Sequence, residues 1–131
     1  MQDPCNPTAA DIRRWAADAE SLCPIEDWDL VITGVGFEDL FLQLVEDRNC
    51  PKADFCLHCL YLWVYDTVRG QGATKELERV LRRAESSAEP GPRVWARRSR
   101  ALIAVPGRAN KNIWWGFGQK RGDAENETRR A

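Results

Sequence analysis

Between Pro51 and Arg69 the chain carries a carboxylate, an imidazole, two phenols and a guanidinium on Asp54, His58, Tyr61, Tyr65 and Arg69, at spacings of four, three, four and four. At about 100° per residue these five side chains fall within roughly 80° of one another, so on a helix they make one polar ladder. Such a ladder can hold a polar ligand or move protons, with Asp54 orienting the ring of His58, the chain's one histidine. It is equally the side that an otherwise apolar helix leaves to water, and amphipathicity alone predicts it.

Two further charges stand out by position. On the same wheel Asp66 falls among Phe55, Cys59 and Leu62, and on a later helical stretch Arg98 falls within the stripe of Val94, Trp95, Ala101, Leu102 and Val105. A charge directed among apolar neighbours requires a partner, so the two are expected to form a buried pair. Cys50, Cys56, His58 and Cys59 invite a zinc reading, but His58 points about 100° or more away from both helical cysteines, which spoils a tetrahedral set. No metal and no cofactor is expected. The chain contains no phosphate-binding glycine loop, dinucleotide fingerprint or G-x-S-x-G elbow. A nucleophilic centre with an imidazole base would have to use His58.

Charge is divided along the chain. Residues 1–66 hold 13 acidic and 4 basic side chains, a net of −9, and residues 67–131 hold 7 acidic and 15 basic, a net of +8. Either the halves pack on each other, or the molecule shows an acidic and a basic face to partners. On the acidic side the candidate partner-binding residues are Asp27, Asp29, Glu38, Asp39, Glu46 and Asp47. On the basic side Arg79, Arg82, Arg83, Arg93, Arg97, Arg100, Arg108, Lys111, Lys120 and Arg121, interleaved with Trp114, Trp115 and Phe117, could meet phosphates and stack bases. The sequence pI of about 5.9 lies well below a nucleic-acid-binding footprint.

The elements that would position these groups are helices. Apolar periodicity predicts them over about 9–22, 37–47, 51–69, 74–87 and 92–105. Thr8 with Asp11 resembles a capping box, Pro51 and Pro92 stand at first helical positions, and glycines 70 and 72 close the third helix. Residues 27–33 read as irregular or a single turn. The expected fold is all-α, a compact antiparallel bundle of about five helices with the aromatic segment around Trp114 and Trp115 packing back. Residues 1–122 form its single domain and 123–131 a disordered polar tail. Six tryptophans mean a Trp-rich core or an exposed aromatic patch.

Five cysteines, an odd number, read as buried reduced thiols. With no apolar run long enough to span a bilayer and no basic–apolar leader at the start, the protein is expected in the cytoplasm, away from membranes. The leading functional expectation is a non-catalytic macromolecule-binding protein, in concrete form a small inhibitor or immunity-type protein that recognises another protein. The alternative is a nucleic-acid-binding regulator using the basic half, and the third reading is a small enzyme centred on His58.

Overall fold

Thr8 and Asp11 open the chain's first helix by capping each other: the Asp11 amide donates to the Thr8 hydroxyl at 3.1 Å, and the Thr8 amide donates to the Asp11 carboxylate at 2.9 Å. The computed structural model describes residues 1–110 and 112–115. Its six α-helices are α1 (Ala9–Ala17), α2 (Trp28–Ile32), α3 (Glu38–Val45), α4 (Ala53–Gln71), α5 (Lys75–Glu85) and α6 (Pro90–Ala104), and a 3₁₀ turn follows at Pro106–Arg108. Among the described residues there is no strand, and no helix is long and apolar enough to cross a membrane.

Helix α4 is the hydrophobic axis. Phe55, Cys56, Leu57, Cys59, Leu60, Leu62 and Val64 are buried along it, and α2, α3 and α6 pack around it. An apolar surface around nearly the whole circumference is what such a position demands. Gly72, at φ +75°, ends α4 in a backbone conformation that side chains with a Cβ avoid. The Thr74 hydroxyl then accepts from the Leu77 amide at 3.1 Å and starts α5, which buries Leu77, Val80, Leu81 and Ala84 against α6.

The tryptophans divide between the two expectations, mostly in favour of the core. Trp28, Trp95 and Trp114 are fully enclosed, Trp15 is nearly so, Trp63 is half-buried, and Trp115 remains 48 % exposed. Trp15 meets Trp28 and Phe55 edge-on with centroids 4.8 and 4.9 Å apart, which joins α1, α2 and α4 in one aromatic cluster. The indole N–H groups of Trp15 and Trp28 donate to the Leu22 and Pro4 carbonyls, each at 2.8 Å. The enclosed rings therefore do not strand those donors.

Two expectations change, and one choice left open by the sequence is decided. Helix α1 stops at Ala17, because the Asp18 carboxylate captures the Glu20 amide and the Ser21 hydroxyl donates to the Trp15 and Asp18 carbonyls. Such local bonds compete with helix continuation, and Leu22 is left 85 % exposed. Of the two readings of residues 27–33, irregular or a single turn, the turn is the one that forms, as the short helix α2 at Trp28–Ile32, anchored by the buried Trp28 and Ile32. Asp66 is exposed rather than buried, and Arg98 lies 4.5 Å over the Trp114 ring as a cation–π contact. A helical wheel gives direction but no depth along the axis, and α4 beyond Tyr65 increasingly meets solvent, with Arg69, Gly70 and Gln71 exposed too. The segments beyond Trp115, including Phe117 and the tail from Asp123, lie outside the described residues.

Candidate functional site

The polar ladder of α4 is not one solvated face. Asp54 and Tyr65 are half-buried and Arg69 is exposed, whereas His58 and Tyr61 are only 5 % and 4 % exposed. What covers them comes from elsewhere in the chain. Asp29 of α2 sits 2.9 Å from Nε2 of His58, the Trp115 ring lies against the imidazole with centroids 4.6 Å apart, and Trp114 meets Tyr61 edge-on at 6.2 Å. The carboxylate that orients His58 at Nε2 is therefore Asp29, supplied by a short helix whose existence periodicity did not reveal. At the far end Arg69 donates to the Tyr65 hydroxyl at 3.2 Å and rests 5.2 Å from the centre of its ring. The ladder thus breaks into an enclosed imidazole–carboxylate pair and an exposed Tyr–Arg pair.

The enclosed pair has the parts of a general base, held with little exposure to solvent. An ionised carboxylate only accepts, so Nε2 carries the proton it shares with Asp29, and Nδ1 is the ring's remaining basic atom. Nδ1 is buried and has no hydrogen-bond partner among the described residues. A cleft of about 360 Å³ opens nearby between the end of α6, the 3₁₀ turn and Ile113, lined by Tyr61, Arg98, Leu102, Val105 and Arg108 among others, but His58 does not line it.

Part of the charge division is met inside the molecule, and further pairs form within the basic half itself. Asp39 of α3 binds Arg79 and Arg83 of α5 at 2.8 and 2.9 Å, Glu46 reaches Arg83 at 3.5 Å, and Arg48 meets Glu89 at 3.1 Å. Arg100 of α6 bridges Glu78 and Glu85 of α5 at 2.9 and 2.7 Å, while Arg79 and Arg82 take Glu76 and Glu78 of their own helix. Hydrogen bonds from Arg79, and then from Arg83, hold the Asp39 carboxyl below its ordinary range, and Arg100 does the same for Glu78 and Glu85. Four of the basic candidates for nucleic acid, Arg79, Arg82, Arg83 and Arg100, are thus engaged by this chain's own acids. The proposed stacking residue Trp114 is interior, and Lys111, Phe117, Lys120 and Arg121 lie outside the described residues.

Of the six acidic candidates, Asp29, Asp39 and Glu46 are likewise engaged within the chain, which leaves Asp27, Glu38 and Asp47. Composition conceals a sharper feature: from Trp15 to Asp47, 33 residues, there are nine acids and no Lys, Arg or His. Within it α2 and the connections flanking it expose Leu22, Leu30 and Val35 by 85, 64 and 60 %, in a stretch that also exposes Asp18, Glu20, Glu26 and Asp27. Lys52 pins the first connection by donating to the Ala19 and Ser21 carbonyls at 3.3 and 2.6 Å. Leu22 was missed because it falls in helical register with the core residues of α1, and only the early helix end reveals it.

Among the described residues no three His, Cys, Asp or Glu side chains gather as metal ligands. Cys56 and Cys59 are buried in α4, but Cys5 and Cys23 are exposed and Cys50 half-buried, so the expectation of buried thiols holds for two of the five. Compared with family models, with curated proteins and with solved structures, the chain matches none.

Proposed function

We propose that this chain is a small, non-catalytic protein-binding protein of the inhibitor or immunity type, and that it docks through the acidic, aliphatic connections around α2. The observation that carries the reading is the coincidence, over residues 18–36, of exposed Leu22, Leu30 and Val35 with exposed Glu26 and Asp27, for which no ion pair is seen among the described residues. Three aliphatic side chains exposed by more than half within one short acidic segment support a docking role, and the acids of that segment favour a basic cleft as the counterpart. The binding residues named from sequence are revised accordingly: Asp27, Glu38 and Asp47 remain at the rim, and Asp29, Asp39 and Glu46 hold the fold together. The scaffold belongs to the same proposal, an antiparallel bundle with its aromatic segment folded back, supported by the short connections before α5 and α6 and by the enclosure of Trp114. We place it in the cytoplasm, where an odd set of five thiols stays reduced.

The test is a paired capture from extract of the native host, with the wild-type chain and a Leu22→Ser, Leu30→Ser, Val35→Ser variant as baits. One protein, retained stoichiometrically by the wild type and lost from the triple variant, supports the reading. Equal retention on both baits, or nucleic acid as the retained species, overturns it.

A further inference from the structure

Arg98, Ala101 and Leu102 of α6, with its capping residue Val105, follow one another at spacings of three, one and three, which is one face of a helix. Pro106 has no N–H with which to extend that helix, and the 3₁₀ turn that follows closes with the Arg108 amide on the Val105 carbonyl at 3.0 Å. The turn redirects the chain, so that Ile113 lines the same cleft as α6 and Trp114 meets Tyr61 of α4 edge-on. Of the residues around this space of about 360 Å³, Tyr61 and Leu102 are buried and form its floor, while Ala101, Val105 and Arg108 are exposed and form its mouth.

Packing accounts for the floor of the cleft but not for its cations. Arg98 and Arg108 both line it, and no acid is among the described residues that do. Arg98 is placed by the Trp114 ring, whose centre lies 4.5 Å from the guanidinium carbon. A guanidinium laid over a ring uses its face there and bonds acceptors along its edge. Helix α6 has no basic residue in its last turn, and Arg108, just beyond it, offsets the negative end of that helix. An anion at the mouth is therefore not turned away by the helix.

We propose that this cleft binds a small amphipathic carboxylate, its single anionic head held by Arg98 and Arg108 and its apolar body laid against Leu102, Val105 and Ile113. The lining decides between ligand classes. A cation would meet two like charges, and a polyol would leave most of its hydroxyls unpaired against aliphatic walls. A carboxylate matches the paired donors on the edge of a guanidinium. The volume lies near the small end of ligand pockets, which limits the body to one ring or a short chain. Burial, and then Arg97, hold the Arg98 guanidinium below its ordinary proton affinity, against Tyr61, so an anion brought alongside acts on a cation that is partly out of water. The cleft shares no residue with the docking surface around α2, and either reading can fail without the other.

The probe is octanoate, titrated into the full chain, with octanamide as its uncharged counterpart and acetate as the head without the body. Methyl-resolved NMR should show the signals of Leu102, Val105 and Ile113 moving to saturation with a Kd at or below about 1 mM for octanoate, and about tenfold weaker or more for octanamide. Acetate should not saturate them. Arg108→Gln, at an exposed position, should weaken octanoate by about tenfold and leave octanamide unchanged, a contrast that a general loosening of the fold would not produce. Ala101→Trp, also at an exposed position, fills the cleft and should abolish binding of both. Equal affinity for octanoate and octanamide, an octanoate affinity indifferent to Arg108→Gln, or shifts centred away from these three residues overturns the proposal. So does a self-associated protein, detected by light scattering, that Ala101→Trp converts to monomer, because the cleft is then an interface between copies of this chain.

Discussion

Nε2 of His58 stands 2.9 Å from Oδ2 of Asp29, across the contact between α4 and α2, while Nδ1 of the same ring is enclosed with no partner among the described residues. A carboxylate cannot donate, so this geometry selects the tautomer with the proton on Nε2. Because the chain has one histidine, nitrogen NMR of the imidazole reads it without ambiguity. Nδ1 should show the shift of an unprotonated acceptor and Nε2 that of an N–H. Asp29→Ala leaves a buried donor unsatisfied and should destabilise by about 1–3 kcal/mol, measured by urea unfolding. The opposite tautomer, or a loss below about 0.5 kcal/mol, would detach α2 from this role.

Acid should loosen the contacts that α5 makes with α3 and α6. Asp39, Glu78 and Glu85 bind protons less readily when folded than when unfolded, since each carboxyl is held down by arginine. The unfolded chain therefore takes up protons first, and the stability these pairs contribute is complete above the ordinary carboxyl range and lost as pH falls below about 4. Urea midpoints between about pH 6 and pH 3 should show this decline, and Asp39→Asn should flatten it. An identical slope in the variant would mean that Asp39 is not the titrating hub.

Enclosure of Trp114 sets a sharper stability contrast. Trp114→Ala removes a fully buried indole and should cost about 3–5 kcal/mol. Arg98→Ala, which loses the guanidinium stacked on that ring, should cost about 1–2 kcal/mol, and Asp66→Ala, exposed on α4, should stay within about 0.5 kcal/mol. The Asp66 and Arg98 losses should add within about 0.5 kcal/mol in the double variant. A larger coupling would restore the buried pair that the helical wheels suggested.

For the docking surface, charge and shape should act on different rate constants. Glu26→Lys combined with Asp27→Asn should slow association with the captured partner, and the difference should shrink as salt screens it. Asparagine is chosen because Asp27 has φ +55°, a conformation that Asn tolerates better than Lys. Leu30→Ser should chiefly speed dissociation. Surface plasmon resonance at two salt concentrations separates these effects, and salt-independent behaviour of the charge variant would remove the acidic rim from recognition.

Much of the fold was written in local chemistry. The Thr8–Asp11 box, the glycine stop at Gly72 and the stripes of α3 and α5 each act within a few residues, and each lies where the pattern places it. What stayed hidden depends on contacts between distant segments. Helix α2 is too short for periodicity to register and is held by Trp28 packing on Phe55, 27 positions away in the numbering. The enclosure of His58 needs Asp29 and Trp115, one from each side of α4 in the chain. Charge totals for the halves anticipated attraction between them, but only the pairing of Asp39 with Arg79 and Arg83 separates spent acids from spare ones.

The order of the helices around α4 bears on how quickly the chain folds. Helix α3 precedes α4 directly and packs on it, α5 precedes α6 directly and packs on it, and α6 reaches α4 across a single intervening helix. Nearly every major contact is thus made between elements close in sequence, so little loop entropy is lost before the contacts form, and collapse within about microseconds to milliseconds is the expected regime. The opposite charges of the two halves add a pull that acts on the unfolded chain at low salt, before any side chain is packed. Refolding of this protein should therefore slow as salt is added, even where its final stability hardly changes.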